Sequence, residues 1–358
     1  MWNDMHILED INYTILKVIV RNFKIIENEE FDFKNLTILT GENGSGKSTL
    51  IQTVLLAGNP IDFGIQNYLN TLGIKELFNK NTNNNIYVTV ESSKEKVLSF
   101  EIKKNDLNIS FHYSSINFLT YPNNLIYLNA NRLGIMAYEH FNPSNNFRNF
   151  GIFGEMISNY YEHNKRNAIE NYLIKDNSSY TLEQQVNFWL SYITNNEVNF
   201  NSEKINFSQI QNSFIVKGNQ YLPQNVGTGY SYLFKILVAC LSAKKGNIII
   251  IENPEIHLHP KSQAKLGEFF AFIASKGIQV IIETHNDHII NKICYEVYKN
   301  KISKDDVIIH YFSIPYQKTT IYINSNGHFV DEEGNLTEFP EGFFDATLKE
   351  VFEMNEDI

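Results

Sequence analysis

Residues 41–48 read Gly41-Glu42-Asn43-Gly44-Ser45-Gly46-Lys47-Ser48 and fit the pattern G-x-x-x-x-G-K-[ST] at every position. A short apolar segment with the character of a strand, Leu36–Thr40, precedes them, and a segment with helical spacing, Lys47–Ala57, follows. Glycines let successive backbone N–H groups converge on phosphate oxygens, and a helix start adds positive potential. The stretch therefore predicts a phosphate-binding loop; its context disfavours a glycine-rich turn that matches by chance.

The loop assigns roles to its side chains. Lys47 is expected to reach the β- and γ-phosphates of ATP, and the Ser48 hydroxyl is expected to bind Mg²⁺. The expected nucleotide contacts of the loop are Asn43, Gly44, Ser45, Gly46, Lys47, Ser48 and Thr49.

An acidic residue at the end of a neighbouring strand usually completes such a site. The apolar run Ile248–Ile251 leads straight to Glu252, which is the predicted second Mg²⁺ residue, acting through water. A second apolar run, Gln279–Ile282, ends in Glu283-Thr284-His285-Asn286. The order of phosphate loop, acid-tipped strand and strand ending in Thr-His predicts one site built from several strand ends.

Secondary-structure patterning around these motifs alternates between strands and helices, which predicts an α/β fold with a parallel sheet. An apolar alternation at the start predicts a β-hairpin, and four further β-rich segments predict a meander beside the nucleotide site. The hairpin strands are Ile15–Val20 and Phe31–Phe33, and the meander segments are Ile86–Val90, Val97–Ile102, Leu107–Tyr113 and Leu125–Asn129. Later helices are expected at about Tyr230–Ala243, Lys261–Ala274 and His288–Tyr298, and later strands at Val307–Phe312, Thr320–Ile323 and His328–Val330.

The middle of the chain has helical spacing, notably in Phe153–Tyr161 and Leu182–Ile193, without a sustained heptad repeat. A compact helical lobe from about Ile135 to Ile193 is therefore expected in place of a long coiled coil. The predicted organisation is an N-terminal half of the nucleotide-binding head (1–134), a helical insertion (135–220), a C-terminal half (221–315) and a small C-terminal module (316–358).

Composition restricts the setting in which the protein works. A hydrophobic content of 43% with 20% charged residues is that of a folded globular protein. Two cysteines supply no disulfide framework, and neither a secretory signal nor a bilayer-length apolar run is present. We therefore expect a cytoplasmic protein without a membrane role. The net charge of -10 argues against a surface uniformly adapted to nucleic acid, although local contact with DNA or RNA stays open.

Several of these motifs resemble one family. The run Glu252-Asn253-Pro254-Glu255-Ile256-His257-Leu258-His259-Pro260 resembles the Walker B region of RecF-like and overcoming-lysogenisation-defect (OLD)-like bacterial ATPases, within the broad ABC/SMC/Rad50 group of AAA-type P-loop proteins. The segment Glu283–Asn286 is similar to their switch motif, and Val20–Lys24 and Tyr127–Arg132 resemble further conserved parts. The tail His328–Leu348, with Pro340-Glu341-Gly342-Phe343-Phe344-Asp345, resembles a C-terminal module of unknown function attached to such ATPases.

This resemblance implies an ABC-type ATPase head and assigns further residues. His285 would be the switch histidine that senses the γ-phosphate. The segment Gly227-Thr228-Gly229-Tyr230-Ser231 would be the signature, in which Gly227, Thr228, Gly229 and Ser231 reach the ATP of a second copy. A glycine turn that opens a helix suits phosphate binding. The resemblance thus implies a homodimer, or a higher oligomer built from such dimers, that encloses ATP and Mg²⁺.

The catalytic base is less direct to assign. Many relatives have an acid where this chain has Asn253, and an amide cannot accept a proton. Either Glu255 is the general base, with Glu252 and His285 as the other catalytic residues, or hydrolysis is slow and the protein acts as an ATP-gated clamp. His257 and His259 as metal ligands are the less favoured reading, and Arg132 is equally consistent with a site arginine and an ordinary strand-end charge.

We expect from these features an ATPase that dimerises around ATP and regulates a separately encoded effector, a nuclease in bacterial anti-phage defence. The alternative is a RecF/Rad50-like repair ATPase that binds DNA directly, which the acidic balance and the lack of coiled coils disfavour. A transporter subunit is disfavoured because the chain has no LSGGQ signature.

Overall fold

The computed structural model describes residues 13–58, 73–105, 109–113, 118–143, 148–340 and 343–344 of the 358-residue chain. Within these residues there are three sheets and six α-helices, and the smallest sheet belongs to the insertion. The strands are β1 (Ile15–Phe23), β2 (Ile26–Asp32), β3 (Leu36–Gly41), β4 (Ile86–Ser92), β5 (Val97–Ile102), β6 (Ile109–Tyr113), β7 (Leu125–Leu128), β8 (Tyr138–His140), β9 (Val198–Asn206), β10 (Gln209–Val216), β11 (Asn219–Tyr221), β12 (Ile248–Glu252), β13 (Gln279–Glu283), β14 (Val307–Ser313), β15 (Gln317–Ile323) and β16 (Phe329–Val330). The helices are α1 (Lys47–Ala57), α2 (Ile157–Asn164), α3 (Leu182–Thr194), α4 (Thr228–Leu241), α5 (Pro260–Ala274) and α6 (Asp287–Tyr298).

The central sheet has seven strands in the order β16-β15-β14-β3-β13-β12-β7. The five strands from β14 to β7 are parallel, and helices connect several of them, as the alternating pattern predicts. Strands β3, β12 and β13 are buried at every residue, which is typical of parallel strands covered on both faces. The prediction of a parallel α/β sheet is confirmed.

The register of this sheet brings the site motifs together. Glu252 at the end of β12 pairs with Glu283 at the end of β13, and Glu283 pairs in turn with Leu39 of β3, two residues before the phosphate loop. All three strands are parallel, so their carboxyl ends meet at one edge of the sheet, where ligands bind in open α/β folds.

The second sheet is antiparallel, in the order β2-β1-β4-β5-β6, and it contains the predicted hairpin and three of the four predicted meander segments. The assignment of Leu125–Asn129 to that meander was wrong. Residues 125–128 form β7, which pairs in parallel with β12 at the edge of the central sheet. Strands β7 and β12 are buried at every residue. The four residues of β7 show no alternation of apolar and polar side chains, so the sequence pattern did not reveal which sheet the strand joins. Residues 107–108 of the predicted third segment lie outside the described residues.

The insertion between β7 and α4 contains more than helices. It holds α3 where helical spacing predicted it, and α2, which begins four residues after the predicted start at Phe153 and ends three residues after Tyr161. It also holds a small antiparallel sheet in which β10 pairs with β8, β9 and β11. The prediction of a helical lobe for 135–220 is therefore incomplete. Trp189 of α3 and Phe200 of β9 belong to the same hydrophobic core as α4, so the lobe packs directly on the head.

The C-terminal strands β15 and β16 extend the central sheet beyond β14 in antiparallel order. An aromatic cluster covers them: Phe339 lies 5.6 Å from Tyr311 and 5.0 Å from Phe329 between ring centroids, and Phe343 and Phe344 pack against Phe339. Residues 341–342 and 345 of the Pro-x-Gly-Phe-Phe-Asp motif lie outside the described residues. No helix in the described part of the chain is long and apolar enough to cross a membrane.

Candidate functional site

The phosphate loop joins β3 to α1, as predicted. Gly41 has a φ of 121°, and a Cβ atom at this position would lie 2.0 Å from the Phe312 carbonyl oxygen, so only glycine fits. Gly44 and Gly46 also have positive φ values, of 77° and 113°. The Lys47 ammonium is buried and donates hydrogen bonds to the carbonyl oxygens of Gly41 and Glu42 at 2.9 and 2.6 Å. Two carbonyl groups of the loop thus fix the Lys47 ammonium within the loop.

A cleft of about 690 Å³ lies beside this loop. Gly44 is at its edge, and one part of its wall is apolar, formed by Ile25, Ile314, Pro315 and Tyr316. The rest of the lining is polar and includes Glu27, Asn28, Glu29 and Asn81. The cleft is large enough for a nucleobase and offers its ring both apolar contacts and hydrogen-bond partners next to the phosphate loop.

Glu252 is fixed by two donors at the end of β12. Tyr127 donates its hydroxyl to Glu252 Oε1 at 3.0 Å, and the backbone N–H of Ala130 donates to Oε2 at 3.1 Å. Burial raises the pKa of the Glu252 carboxyl, while the Ala130 and Tyr127 hydrogen bonds and Arg132 lower it. The residue that the sequence assigned to Mg²⁺ is thus buried, oriented and close to the phosphate loop.

Glu283 is a site residue that the sequence reasoning missed. Ser48 donates its hydroxyl to this carboxylate, at 3.0 Å from Oε1 and 3.1 Å from Oε2. Burial and the nearby Glu252 raise the pKa of Glu283 to about 7, and Lys47 and Ser48 oppose that rise. The signal was present in the sequence, because a glutamate ends β13 just as Glu252 ends β12.

The turn after β12 places Glu255 against the end of β13. The backbone N–H of His285 donates to Glu255 Oε1 at 3.1 Å, whereas Glu255 Oε2 is buried with no hydrogen-bond partner among the described residues. Burial raises the pKa of the Glu255 carboxyl. His285 is exposed at the same edge of the sheet, and its pKa is lowered by desolvation and by Lys47. Glu255 and His285 are therefore brought together.

Asn253 occupies the position between the two acids in a strained conformation. Its φ is 43°, in the left-handed region that asparagine tolerates better than most residues, and its side-chain oxygen is buried with no partner in the described part of the chain. Its backbone N–H donates to the Glu283 carbonyl oxygen at 2.7 Å. The turn is thus tied to both acid-tipped strands.

Arg132 is neither an ordinary strand-end charge nor exposed to a substrate. Only 2% of its surface is accessible, and its guanidinium donates to the carbonyl oxygens of Glu252 at 2.6 Å and Asn253 at 2.9 Å. A third hydrogen bond goes to the Asn129 carbonyl oxygen at 3.0 Å. Burial lowers the pKa of Arg132 to about 10, so it stays charged. It holds the turn that carries Asn253 and Glu255 in place.

The signature segment forms the start of α4, as predicted, but its residues differ in accessibility. Gly227 and Thr228 are exposed, whereas Gly229 is buried and a Cβ atom there would lie 2.5 Å from the His257 carbonyl oxygen. Ser231 is also buried, at 3% exposure, so its hydroxyl does not lie on the accessible surface of this chain. Within the described residues, no hydrogen bond joins this segment to the phosphate loop.

The two histidines of the turn have local contacts of their own. His259 caps α5, since its Nδ1 accepts from the Lys261 backbone N–H at 3.3 Å. His257 has a positive φ of 63°, and its ring packs 5.0 Å from that of Tyr232. These contacts give both side chains a structural role next to the signature helix.

Comparison with known proteins identifies the family. Residues 105–291, a little over half of the chain, match the family described as "AAA domain, putative AbiEii toxin, Type IV TA system". The chain belongs to this family. Residues 16–64 also match the "P-loop containing region of AAA domain", and residues 302–354 match "Protein of unknown function (DUF3696)". The last match covers β14 as well as the predicted C-terminal module.

Solved structures agree on the fold. The Smc head domain from Pyrococcus furiosus, with an extended coiled coil and bound to the C-terminal domain of ScpA, is 12% identical, with a TM-score of 0.56, and the match covers 96% of this chain and 100% of that one. A second SmcHead, bound to the C-winged helix domain of ScpA, is 12% identical with a TM-score of 0.54, covering 89% and 98%. The RecF–ATPγS structure of the RecFOR pathway is also 12% identical, with a TM-score of 0.45 and coverage of 86% and 98%.

The two family models show a P-loop AAA domain, and the two Smc heads show that the chain has the fold of such a head, which confirms the family resemblance and the fold class expected from the motifs. No curated protein sequence matches the chain.

Proposed function

We propose that this chain binds ATP with Mg²⁺ and hydrolyses it. The observation that carries the proposal is the convergence of Lys47, Ser48, Glu252, Glu255 and His285 at the carboxyl edge of β3, β12 and β13. The residues fit the ion, since the Ser48 hydroxyl and two buried carboxylates, Glu252 and Glu283, form the oxygen donor set that Mg²⁺ prefers. When bound, Mg²⁺ supplies positive charge to the phosphate oxygens.

Each residue of the chain has a definable part in this proposal. Lys47 exchanges its two carbonyl acceptors for phosphate oxygens, and the backbone N–H groups of residues 43–49 face the same phosphates. Ser48 and Glu252 hold the ion, and Glu283 orients the Ser48 hydroxyl. The cleft at Ile25 and Tyr316 takes the nucleobase.

Glu255 is the proposed general base. Its Oε1 is already occupied by the His285 N–H, which fixes the carboxylate, and its free Oε2 can accept a proton from water. His285 follows in the chain and senses the γ-phosphate from the surface of the site. Asn253 contributes an amide that orients groups in the site but accepts no proton, and Arg132 keeps the turn rigid.

The exposed helix start at Gly227–Thr228 supports ATP-dependent dimerisation. A helix N-terminus with free N–H groups attracts phosphate, and no side chain caps this one. We propose that this segment of one copy binds the ATP held by the phosphate loop of the other. In this proposal the head has two halves, residues 1–134 and 221–315. The accessible Thr228 is the main contact of the helix start with the second copy.

We propose further that the ATPase regulates a separately encoded effector, a nuclease in anti-phage defence. The description of its family names a toxin and a type IV TA system, and two Smc heads of the same fold are bound to a domain of ScpA, a partner protein. The helical lobe at about Ile135–Ile193 and the C-terminal module (316–358) are the proposed docking surfaces, since the residues that carry the ATP site lie outside both, apart from Tyr316 at the edge of the nucleobase cleft.

Three measurements test this function in order. A nucleotide titration tests ATP binding, phosphate release tests hydrolysis, and light scattering with and without ATP tests dimerisation. Unchanged ATP affinity in Lys47→Ala would exclude the assigned site. For the biological role, cells that express the chain alone or with its operon neighbours are challenged with phage. Protection by the chain alone, together with nucleic-acid cleavage by the purified protein, would refute the separate effector.

A further inference from the structure

A second cavity, of about 620 Å³, lies between the insertion and the head, and none of the residues assigned to the ATP site lines it. Its volume falls in the range of small-molecule sites. Apolar side chains dominate its walls: Leu133, Ile135, Met136 and Met156. Leu133, Met136 and Met156 are exposed to solvent, so the cavity offers an apolar ligand a surface that it would cover on binding.

A buried lysine lines this cavity. Lys235, in the middle of α4, has only 2% of its surface exposed, yet its ammonium makes no hydrogen bond to any described residue. Glu139 and Glu155 attract it electrostatically, but their hydrogen bonds go to the backbone N–H groups of Met136 and Phe153. Lys235 thus has two attracting carboxylates nearby but no hydrogen-bond acceptor among the described residues, which leaves its ammonium able to donate to a ligand in the cavity.

An unsatisfied acceptor lines the same cavity. The side-chain oxygen of Asn159, on α2, is buried and receives no hydrogen bond in the described part of the chain. The cavity therefore combines apolar walls with one donor and one acceptor that are both unmatched. Glu139 and Glu155 line it as well, so an anionic ligand would be repelled as much as attracted.

We propose that this cavity binds a small uncharged molecule with an apolar body and an amide group, whose carbonyl oxygen accepts from Lys235 and whose N–H donates to Asn159. Such a molecule satisfies both buried polar groups and leaves the charge balance of Lys235 with Glu139 and Glu155 unchanged.

The position of the cavity connects it to the ATPase. Lys235 lies on α4, two turns after the exposed helix start at Thr228, and Leu133 directly follows Arg132, whose guanidinium holds the turn after β12. A molecule in the cavity contacts both elements. It is therefore placed to influence the ATP site without touching it.

Benzamide is the probe, because it joins an apolar ring to a primary amide. The matched control is acetophenone, which keeps the ring and the carbonyl but has no N–H. We expect saturable binding of benzamide to the full chain without nucleotide, followed by NMR titration, with a Kd on the order of 1–10 mM for a molecule of this size. Acetophenone should bind about tenfold more weakly, since one hydrogen bond is lost.

Two variants locate the site. Lys235→Met keeps the length of the side chain, Asn159→Leu keeps its shape, and each should weaken benzamide binding about tenfold. Two independent variants protect the test against misfolding of one, and a thermal melt of each checks the fold. Lys47→Ala should bind benzamide as the wild type does, so a failure of the ATP proposal is separable from a failure here. No saturable binding, equal affinities for the two probes, or an affinity unchanged in either folded variant would overturn the proposal.

Discussion

Replacing Glu255 by glutamine gives the sharpest test of the proposed chemistry. Three buried glutamates meet at the site, but their oxygens differ. Glu252 accepts from Tyr127 at Oε1 and from Ala130 at Oε2, and the single hydroxyl of Ser48 lies within hydrogen-bond distance of both oxygens of Glu283. Of these three, only Glu255 has a buried oxygen with no hydrogen-bond partner among the described residues. This difference supports the proposal that Glu255 is the general base.

The magnitude follows from that role. A positioned general base contributes about 10²- to 10⁴-fold to a rate, which corresponds to about 3–5 kcal/mol of activation free energy. Glutamine keeps the size of the side chain, and its carbonyl oxygen can still accept from the His285 N–H. We expect Glu255→Gln to lose at least about 100-fold in single-turnover hydrolysis while ATP affinity stays within about threefold. The closed dimer should then persist with ATP.

The matched control is Asn253→Gly, which removes the neighbouring amide and tolerates the observed φ of 43° better than alanine does. It should slow hydrolysis less than about tenfold, because an amide that accepts no proton is lost. The assay is a rapid-quench measurement of ATP cleavage with enzyme in excess. If Glu255→Gln cleaves ATP at the wild-type rate, or Asn253→Gly is the more defective, Glu255 is not the base.

Three further outcomes are expected. Lys47→Ala should weaken ATP binding by about 10- to 100-fold, since charge-assisted hydrogen bonds worth about 1.5–3 kcal/mol are lost, and a fluorescence titration with Lys47→Arg as the charge-preserving control measures this. Thr228→Glu should weaken ATP-driven dimerisation at least about tenfold by light scattering while the uncharged Thr228→Gln does not; Gly229 is unsuitable for this test because a side chain would collide with the His257 carbonyl. Burial lowers the pKa of His310 from 6.5 to about 4. As pH falls, the unfolded chain therefore binds a proton at this residue before the folded chain does, which destabilises the fold. Between pH 7 and pH 5 the free energy of unfolding should fall by about 2 kcal/mol more in the wild type than in His310→Gln. Equal pH dependence in urea titrations of those two proteins would contradict the last expectation.

The sequence predicted the central sheet and the phosphate loop well because their signals are local. Strand β5 and helix α1 have the predicted bounds. Strands β12 and β13 each end one residue after the predicted end, at Glu252 and Glu283. Long apolar runs and a glycine-rich turn can be recognised from neighbouring residues alone. The strand with which another strand pairs cannot be recognised in this way, so β7 was assigned to the wrong sheet.

The insertion and the details of the site were harder for a related reason. Strand β9 begins with alternating burial and ends in four exposed residues, so its asparagines, Glu203 and Lys204 conceal its pattern. The contact between Ser48 and Glu283 joins residues 235 positions apart, and Arg132 binds carbonyl oxygens about 120 positions away. Such contacts depend on sheet register and not on local spacing.

The turn after β12 links the parts of the molecule that an ATP switch must coordinate. Arg132 holds its first carbonyl groups, the His285 N–H holds Glu255, and the His257 carbonyl packs against Gly229 in the signature helix. If nucleotide binding shifts Glu255, the turn that moves with it is in direct contact with α4. Because packed elements of this kind move as units, and not by continuous deformation, this contact supports our proposal that the ATP site is coupled to the face that a second copy would meet.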